Sequence, residues 1–198
     1  MLQCMAHQKK KEIPVSFRKG DPDIIKFVDE GQVNEVQRLI RDGVDVNARG
    51  DYNYTALHCA CKKEGNPLLQ MLLDAGADMN LHDNTRNLPL HWACEYGAVT
   101  AVEKFMAAGI DINWQNRGGY SPLMLAVYHN QGKIAKMLMD AGADTQLITG
   151  QNLTAYKICN WKTKEQKYDY QKHPIFAMLM DREPKDDAEG KKKDLSNT

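Results

Sequence analysis

The sequence lacks an excess of charge of either sign, and it lacks a long apolar segment. Its 198 residues carry 26 lysines and arginines against 26 aspartates and glutamates, so the formal net charge is zero. A balanced charge gives no general attraction to nucleic acid or to an anionic membrane surface. No apolar run approaches the roughly 20 residues that cross a bilayer, so we expect no membrane insertion. The first residues lack the apolar stretch of a secretory signal. We therefore expect a cytoplasmic protein, with nuclear import through the lysines at 9–11 as the alternative.

The sequence also lacks the common motifs of catalysis. It contains no glycine-rich phosphate loop and no G-x-S-x-G nucleophile turn. Its five cysteines are odd in number, which favours reduced thiols over a disulfide framework. We expect no enzyme activity and no cofactor.

What the sequence does contain is an internal repeat with a step of 33 residues. Two short motifs return at that step. The first motif reads Thr55-Ala56-Leu57-His58, Leu88-Pro89-Leu90-His91, Ser121-Pro122-Leu123-Met124 and Thr154-Ala155-Tyr156-Lys157. The second reads Asp45-Val46-Asn47, Asp78-Met79-Asn80, Asp111-Ile112-Asn113 and Asp144-Thr145-Gln146. Two motifs that keep one period indicate a repeat architecture rather than a single globular core.

These motifs resemble the T-P-L-H and G-A-D-V-N elements of the ankyrin repeat. The resemblance implies an all-α ankyrin-repeat solenoid, in which helix–turn–helix layers alternate with fingers built as β-turns or hairpins. We expect a flexible basic leader at 1–20, a repeat domain at 21–182 and a disordered, charged tail at 183–198. The predicted units are approximately 21–50, 51–83, 84–116, 117–149 and 150–182.

Departures from the repeat pattern carry further expectations. Thr55 should cap its helix and share a bond with His58, whereas Leu88 offers His91 no hydroxyl, so we expect a weaker cap there. Glu64 stands where the family has an inter-helix glycine, and Asn130 replaces that glycine in the fourth unit, one repeat step after Gly97. Asparagine tolerates the left-handed backbone required at this point. In the last unit the apolar run at 175–180 arrives late, which predicts an enlarged inter-helix segment at 161–173.

The resemblance also indicates which residues face a partner, because fixed phases of the ankyrin repeat line its concave surface. Aromatic side chains with a polar tip are enriched at these phases and are common anchors of interfaces. The predicted protein-binding residues are Tyr52, Tyr54, Lys62, Lys63, Asn87, Glu95, Tyr96, Arg117, Tyr120, Tyr128, His129, Trp161 and Lys162. The alternative is that some of these rings pack between fingers. We interpret Trp92 as inter-repeat packing and Trp114 as a residue at the base of a finger.

Two other sites follow from the same resemblance. Asn47 and Asn113 lie in the sequence context of ankyrin asparagines that an asparaginyl hydroxylase modifies in animals, although such side chains also bond turn backbones by themselves. His91 and Cys94 are spaced i, i+3, but helix layers about 10 Å apart cannot easily share a zinc ion with Cys61. We expect no metal site.

The leading functional hypothesis is a non-catalytic interaction module or adaptor that binds a protein partner through the ankyrin groove and is monomeric by itself. The alternative is a structural subunit built permanently into a larger assembly, for example a cytoskeletal one. A minor alternative is binding of single-stranded nucleic acid by the basic and aromatic segment 161–173, where rings and cations suit stacked bases. Nucleic acid is otherwise not an expected partner.

Overall fold

The computed structural model describes residues 22–166 and 174–182, and within these residues the regular structure is helical. In chain order the helices are α1 (Asp23–Glu30), α2 (Val33–Arg41), α3 (Ala56–Ala60), α4 (Pro67–Asp74), α5 (Pro89–Tyr96), α6 (Val99–Ala107), α7 (Pro122–Tyr128), α8 (Gly132–Asp140), α9 (Ala155–Gln166) and α10 (Pro174–Met180).

The helices form two layers. The first helices of successive units pack on one another, α1 on α3, α3 on α5, α5 on α7 and α7 on α9. The second helices make the other layer, in which α6 packs on α8 and α8 on α10. Each first helix also packs on the second helix of its own unit. Since each unit touches mainly its neighbours, the chain forms a linear stack and not a closed core.

Columns of apolar side chains run through the stack at the 33-residue step. Leu57, Leu90 and Leu123 are fully buried in the first-helix layer, and Ile24 continues the same column. Leu72, Phe105 and Leu138 form a second fully buried column. Burying one such side chain contributes roughly 1.5–3 kcal/mol, so these columns hold adjacent layers together.

Residues with a left-handed backbone conformation follow the helices, and they also recur at the 33-residue step. The second helices α2, α4, α6 and α8 are followed by Gly43, Gly76, Gly109 and Gly142, all at positive φ. Between the two helices of a unit the left-handed residue is Gly31, Gly65, Gly97 or Asn130. The prediction that Asn130 takes this conformation is confirmed, with φ +59°.

The second unit shows what replaces the expected glycine at Glu64. The left-handed residue moves one position later, to Gly65, and α3 ends early at Ala60. Glu64 then reaches the first turn of α6, where its carboxylate accepts from the backbone N–H of Thr100 at 3.1 Å and from the Thr100 hydroxyl. A carboxylate at a helix N-terminus satisfies orphan N–H groups and suits the helix dipole. Glu64 therefore braces one unit against the next.

A finger precedes each first helix from α3 onward, and each finger has the same backbone bonds. In the third unit Asp83 N–H donates to Asn87 O at 2.9 Å, and Arg86 N–H donates to Asp83 O at 2.9 Å. Neighbouring fingers are joined by single bonds, such as Asn84 N–H to Tyr52 O and Arg117 N–H to Thr85 O, both 2.8 Å. The fingers thus extend the stack beyond the helices.

A side-chain acceptor reinforces these turns wherever the first finger residue carries one. In the fourth unit, Asn116 Oδ1 accepts from the N–H groups of Gly118 and Tyr120 at 2.9 and 3.0 Å. Asp83 and Thr149 do the same in their fingers. Gly50 holds this position in the second unit and has no side chain to offer.

The two ends of the array differ in part from expectation. Helix α1 begins at Asp23, with Pro22 at its N-cap position, and Asp21 lies outside the described residues. In the last unit the late apolar run forms α10, beginning at Pro174 as expected. The enlarged segment is shorter than predicted, because α9 continues through Gln166. Residues 161–166 contain no glycine or proline and several good helix formers, which allows this extension.

Candidate interaction surface

Trp92 forms the floor of the surface on the first helices. Its ring is 2 % exposed and lies 6.0 Å from the Tyr54 ring and 6.2 Å from the Tyr96 ring, between centroids. The His58 ring meets its edge at 5.3 Å. The tryptophan therefore packs between the second and third units, as we interpreted it, and it also supports the residues exposed above it.

Tyr54 does not belong to the exposed surface, and the structure corrects its inclusion. It is 3 % exposed because Trp92 of the following unit covers its ring. Its ring packs against a helix of the next unit and not between fingers, as the alternative had it. Tyr96 and Tyr52, by contrast, are 41 % and 43 % exposed.

Lys62 is held beside this floor by an ion pair. Its Nζ lies 2.6 Å from Asp29 Oδ1 and 5.7 Å from the centre of the Trp92 ring. Both partners are largely covered, with 18 % and 22 % of their side chains exposed. The sequence analysis missed Asp29, although the signal was present, since Asp29 lies one repeat step before Lys62. Lys63, next to it, is exposed.

Glu95 and His129 make a looser contact between the third and fourth units. Their Oε1 and Nε2 atoms are 3.9 Å apart, which is longer than a hydrogen bond. Burial raises the pKa of Glu95, and the charge of Asp83 adds to the rise. The His129 ring meets the ring of Tyr128 edge-on at 5.0 Å. We call Lys62, Lys63, Glu95, Tyr96, Tyr128 and His129 the first-helix surface.

The predicted finger residues are used partly for structure. Asn87 donates to Asp83 Oδ2 at 3.2 Å and accepts from Asn116 Nδ2 at 2.8 Å, so it links two fingers. Tyr120 is half-buried. Burial raises the pKa of its phenol, and the nearby Tyr128 adds a smaller rise. Arg117 is exposed at its fingertip.

Asp83 is a structural centre that the sequence analysis did not find. It is 4 % exposed, yet its two oxygens accept five hydrogen bonds. Four come from Thr85 and Asn87 of its own finger, and the fifth comes from Trp92 Nε1 at 3.1 Å. Asp83 therefore joins a finger to the tryptophan floor.

The motif histidines tie each helix to the next finger. His58 Nε2 bonds Asn87 O at 3.1 Å, so that nitrogen carries the proton and Nδ1 accepts. Nδ1 receives both the N–H and the hydroxyl of Thr55, at 3.1 and 3.0 Å, which confirms the predicted cap. His91 repeats this arrangement toward Tyr120 O, but from Leu88 it receives the backbone N–H. Burial lowers the pKa of both histidines to about 4.

The two asparagines considered for hydroxylation act as inter-repeat latches. Asn47 Oδ1 accepts from Asp78 N–H at 2.8 Å, and Asn113 Oδ1 accepts from Asp144 N–H at 2.9 Å. Modification of Asn47 or Asn113 remains a prediction.

Trp114, at the base of the fourth finger, donates to Arg86 O at 3.0 Å and stacks under the Arg86 guanidinium.

The remaining predicted residues lie beyond what the structure describes. Trp161 and Lys162 are in α9, but their side chains are outside the described set, and so is the backbone of 167–173. The nucleic-acid alternative based on 161–173 is therefore untested.

Buried thiols give no sign of reactive chemistry. Cys59, Cys61, Cys94 and Cys159 are buried and form no disulfide, and burial raises the pKa of the thiols of Cys61 and Cys94. Over residues 22–166 and 174–182, no three His, Cys, Asp or Glu side chains are grouped so that they could hold a metal ion. The described helices include none with the length and apolarity needed to span a membrane.

The two-layered stack of helix pairs, with fingers at a 33-residue step, defines a helical repeat scaffold. A family model for ankyrin repeats (three copies) matches residues 6–83 and 63–149. The chain belongs to the ankyrin repeat family, whose members are generally non-catalytic protein–protein interaction modules. A comparison with curated proteins found no match.

Proposed function

We propose that this chain binds a protein partner through the first-helix surface and the adjacent fingertips. The observation that carries the proposal is the exposure of Tyr96, 41 % of whose surface remains accessible although its ring rests on the buried Trp92. A rigid aromatic ring with a polar tip provides contact area at a low cost in conformational entropy. Tyr128, in the next unit, is partly exposed and its ring contacts that of His129.

The surrounding charges support a specific surface rather than a general one. Lys62 and Asp29 are paired at 2.6 Å, and Glu95 and His129 face one another at 3.9 Å. Charged groups at the edge of an aromatic row set orientation and exclude wrong partners more than they add affinity.

The test compares partner capture by three forms of the full chain. One form is wild type, the second carries Tyr96→Ala with Tyr128→Ala, and the third carries Val44→Ala with Ile148→Ala. The third form is the matched control, because it also removes two exposed apolar side chains, neither of which belongs to a first helix. Bound proteins from the native extract would be quantified by mass spectrometry, and helicity would be checked by circular dichroism.

We expect a defined set of proteins that wild type and control retain and that the tyrosine variant loses by at least about tenfold, since interface anchors contribute at least about 1 kcal/mol each. Equal recovery by all three forms would refute the proposal. Size-exclusion chromatography of the extract would separate a reversible binder from a permanent subunit, because a permanent subunit elutes only with its assembly.

A further inference from the structure

We propose that Glu95, flanked by Tyr96 and Tyr128, receives an arginine side chain of the partner protein. The inference rests on the proposed function and adds the chemistry of the residue that the first-helix surface recognises.

The first argument is that, among the residues that the structure describes, no lysine or arginine forms an ion pair with the carboxylate of Glu95. Asp29, on the same surface, has the Lys62 ammonium at 2.6 Å, whereas the basic group that faces Glu95 is the imidazole of His129, with Nε2 at 3.9 Å. Glu95 is nevertheless about two-thirds covered, with 37 % of its side chain exposed. Burial and the nearby Asp83 both raise its pKa, which means that its negative charge is poorly compensated. A cation supplied by a partner would compensate the negative charge of Glu95.

The second argument is the aromatic surroundings. Tyr96 follows Glu95 in the chain, and its ring leans on Trp92 at 6.2 Å. Tyr128 lies beside His129, the residue that faces Glu95. A guanidinium group pairs with a carboxylate through two parallel N–H bonds and stacks on aromatic faces at the same time. The ammonium of a lysine offers neither a planar face nor a two-pronged bond, so the surroundings favour arginine.

The third argument is that the surface already holds one cation in this way. Lys62 places its Nζ 5.7 Å from the centre of the Trp92 ring while Asp29 accepts its charge at 2.6 Å. Glu95 lies two repeat steps after Asp29 and one step after Lys62. The position one step beyond Glu95, where the Asp29–Lys62 pair would place a lysine, is held by Tyr128, which is not a cation.

The experiment is a selection from a random-sequence peptide library displayed on phage. It uses the full chain as wild type, as E95Q and as E103Q. Glu103 is an exposed residue of α6, so E103Q changes the net charge equally on the other helix layer. Selected peptides would be synthesised with arginine or with citrulline, its neutral isostere, and their affinities measured by fluorescence anisotropy for wild type, E95Q and the Tyr96→Ala/Tyr128→Ala form.

We expect arginine to be enriched at one peptide position with wild type and E103Q but not with E95Q. Citrulline at that position should weaken binding to wild type by at least about tenfold and change binding to E95Q little. Peptides that depend on the two tyrosines but lack arginine, or that bind wild type and E95Q equally, would overturn this inference and leave the proposed surface intact. Peptides insensitive to the tyrosine variant, or no enrichment at all, would count against both.

Discussion

Removing the side chain of Asp83 should destabilise the middle of the repeat array. Asp83→Ala deletes the acceptor for five hydrogen bonds at a site that is 4 % exposed. The N–H of Trp92 would then be buried without a partner, which costs roughly 1–3 kcal/mol. The finger N–H groups of Thr85 and Asn87 lie nearer to solvent, where water can replace the lost acceptor, so we assign about 0.5 kcal/mol to each. The expected loss is about 3 kcal/mol.

A conservative change at the same position separates the bonds accepted by Oδ1, from Thr85 and the Asn87 N–H, from those accepted by Oδ2, from Trp92 and the Asn87 amide. Asp83→Asn keeps an oxygen for the finger N–H groups but places an amide N–H₂ opposite the donors of Trp92 and Asn87. We therefore expect a loss of about 1.5 kcal/mol, between wild type and the alanine variant. Asn116→Ala is the matched control, because Asn116 braces its finger in the same way but has Leu125 at the phase of Trp92.

The assay is urea unfolding followed by circular dichroism and by tryptophan fluorescence. Agreement between the two signals is required, because a repeat array can unfold in parts. With a denaturant slope of about 2 kcal/mol per molar, the midpoint of Asp83→Ala should fall by about 1.5 M. If Asp83→Ala cost no more than Asn116→Ala, the bond from Trp92 would contribute nothing and the reasoning would be wrong.

Two further predictions concern the motif histidines and the first finger. Because burial lowers the pKa of His58 and His91 from 6.5 to about 4, the folded state binds fewer protons than the unfolded chain between these values. Stability is then fully present above about pH 6.5 and falls toward pH 4 by about 1.4 kcal/mol per unit per histidine. His91→Met, which copies Met124 of the next unit, should flatten this decline in urea midpoints, and an unchanged slope would contradict the assignment. Gly50→Asn should raise the free energy of unfolding by about 0.5–1 kcal/mol, because it supplies the missing finger acceptor, and the urea midpoint should rise with it. A lowered midpoint would show that the finger cannot hold the side chain.

Much of the fold could be predicted from the sequence because the contacts of a repeat are local or lie one step away. The glycines after the second helices, and Asn130 between two helices, have left-handed backbones, which glycine and asparagine at these positions predict. The bond between Thr55 and His58, which the resemblance implied, joins residues only three positions apart at the start of one helix.

Departures from the pattern were visible in the sequence, but their consequences were not. Glu64 was recognisable as a replaced glycine, yet its contact with Thr100 spans 36 residues and depends on how two units stack. The extension of α9 to Gln166 likewise reflects helix propensity in a segment where the repeat pattern itself gives no signal.

The sequence by itself determined the repeat step and the order of the helices, because periodic residues follow the geometry of one helix pair. The phases predicted to face a partner came from the resemblance to the ankyrin repeat. Only the tertiary structure decided which of those residues remain exposed. Tyr54 and Tyr96 both occupy surface phases, but Trp92 from the next unit covers Tyr54 and leaves Tyr96 open. The same tryptophan reaches Asp83 and lies beneath Lys62. The contacts of Trp92 with Tyr54 and Lys62 join side chains from different units, so their distances are set by the stacking of the array.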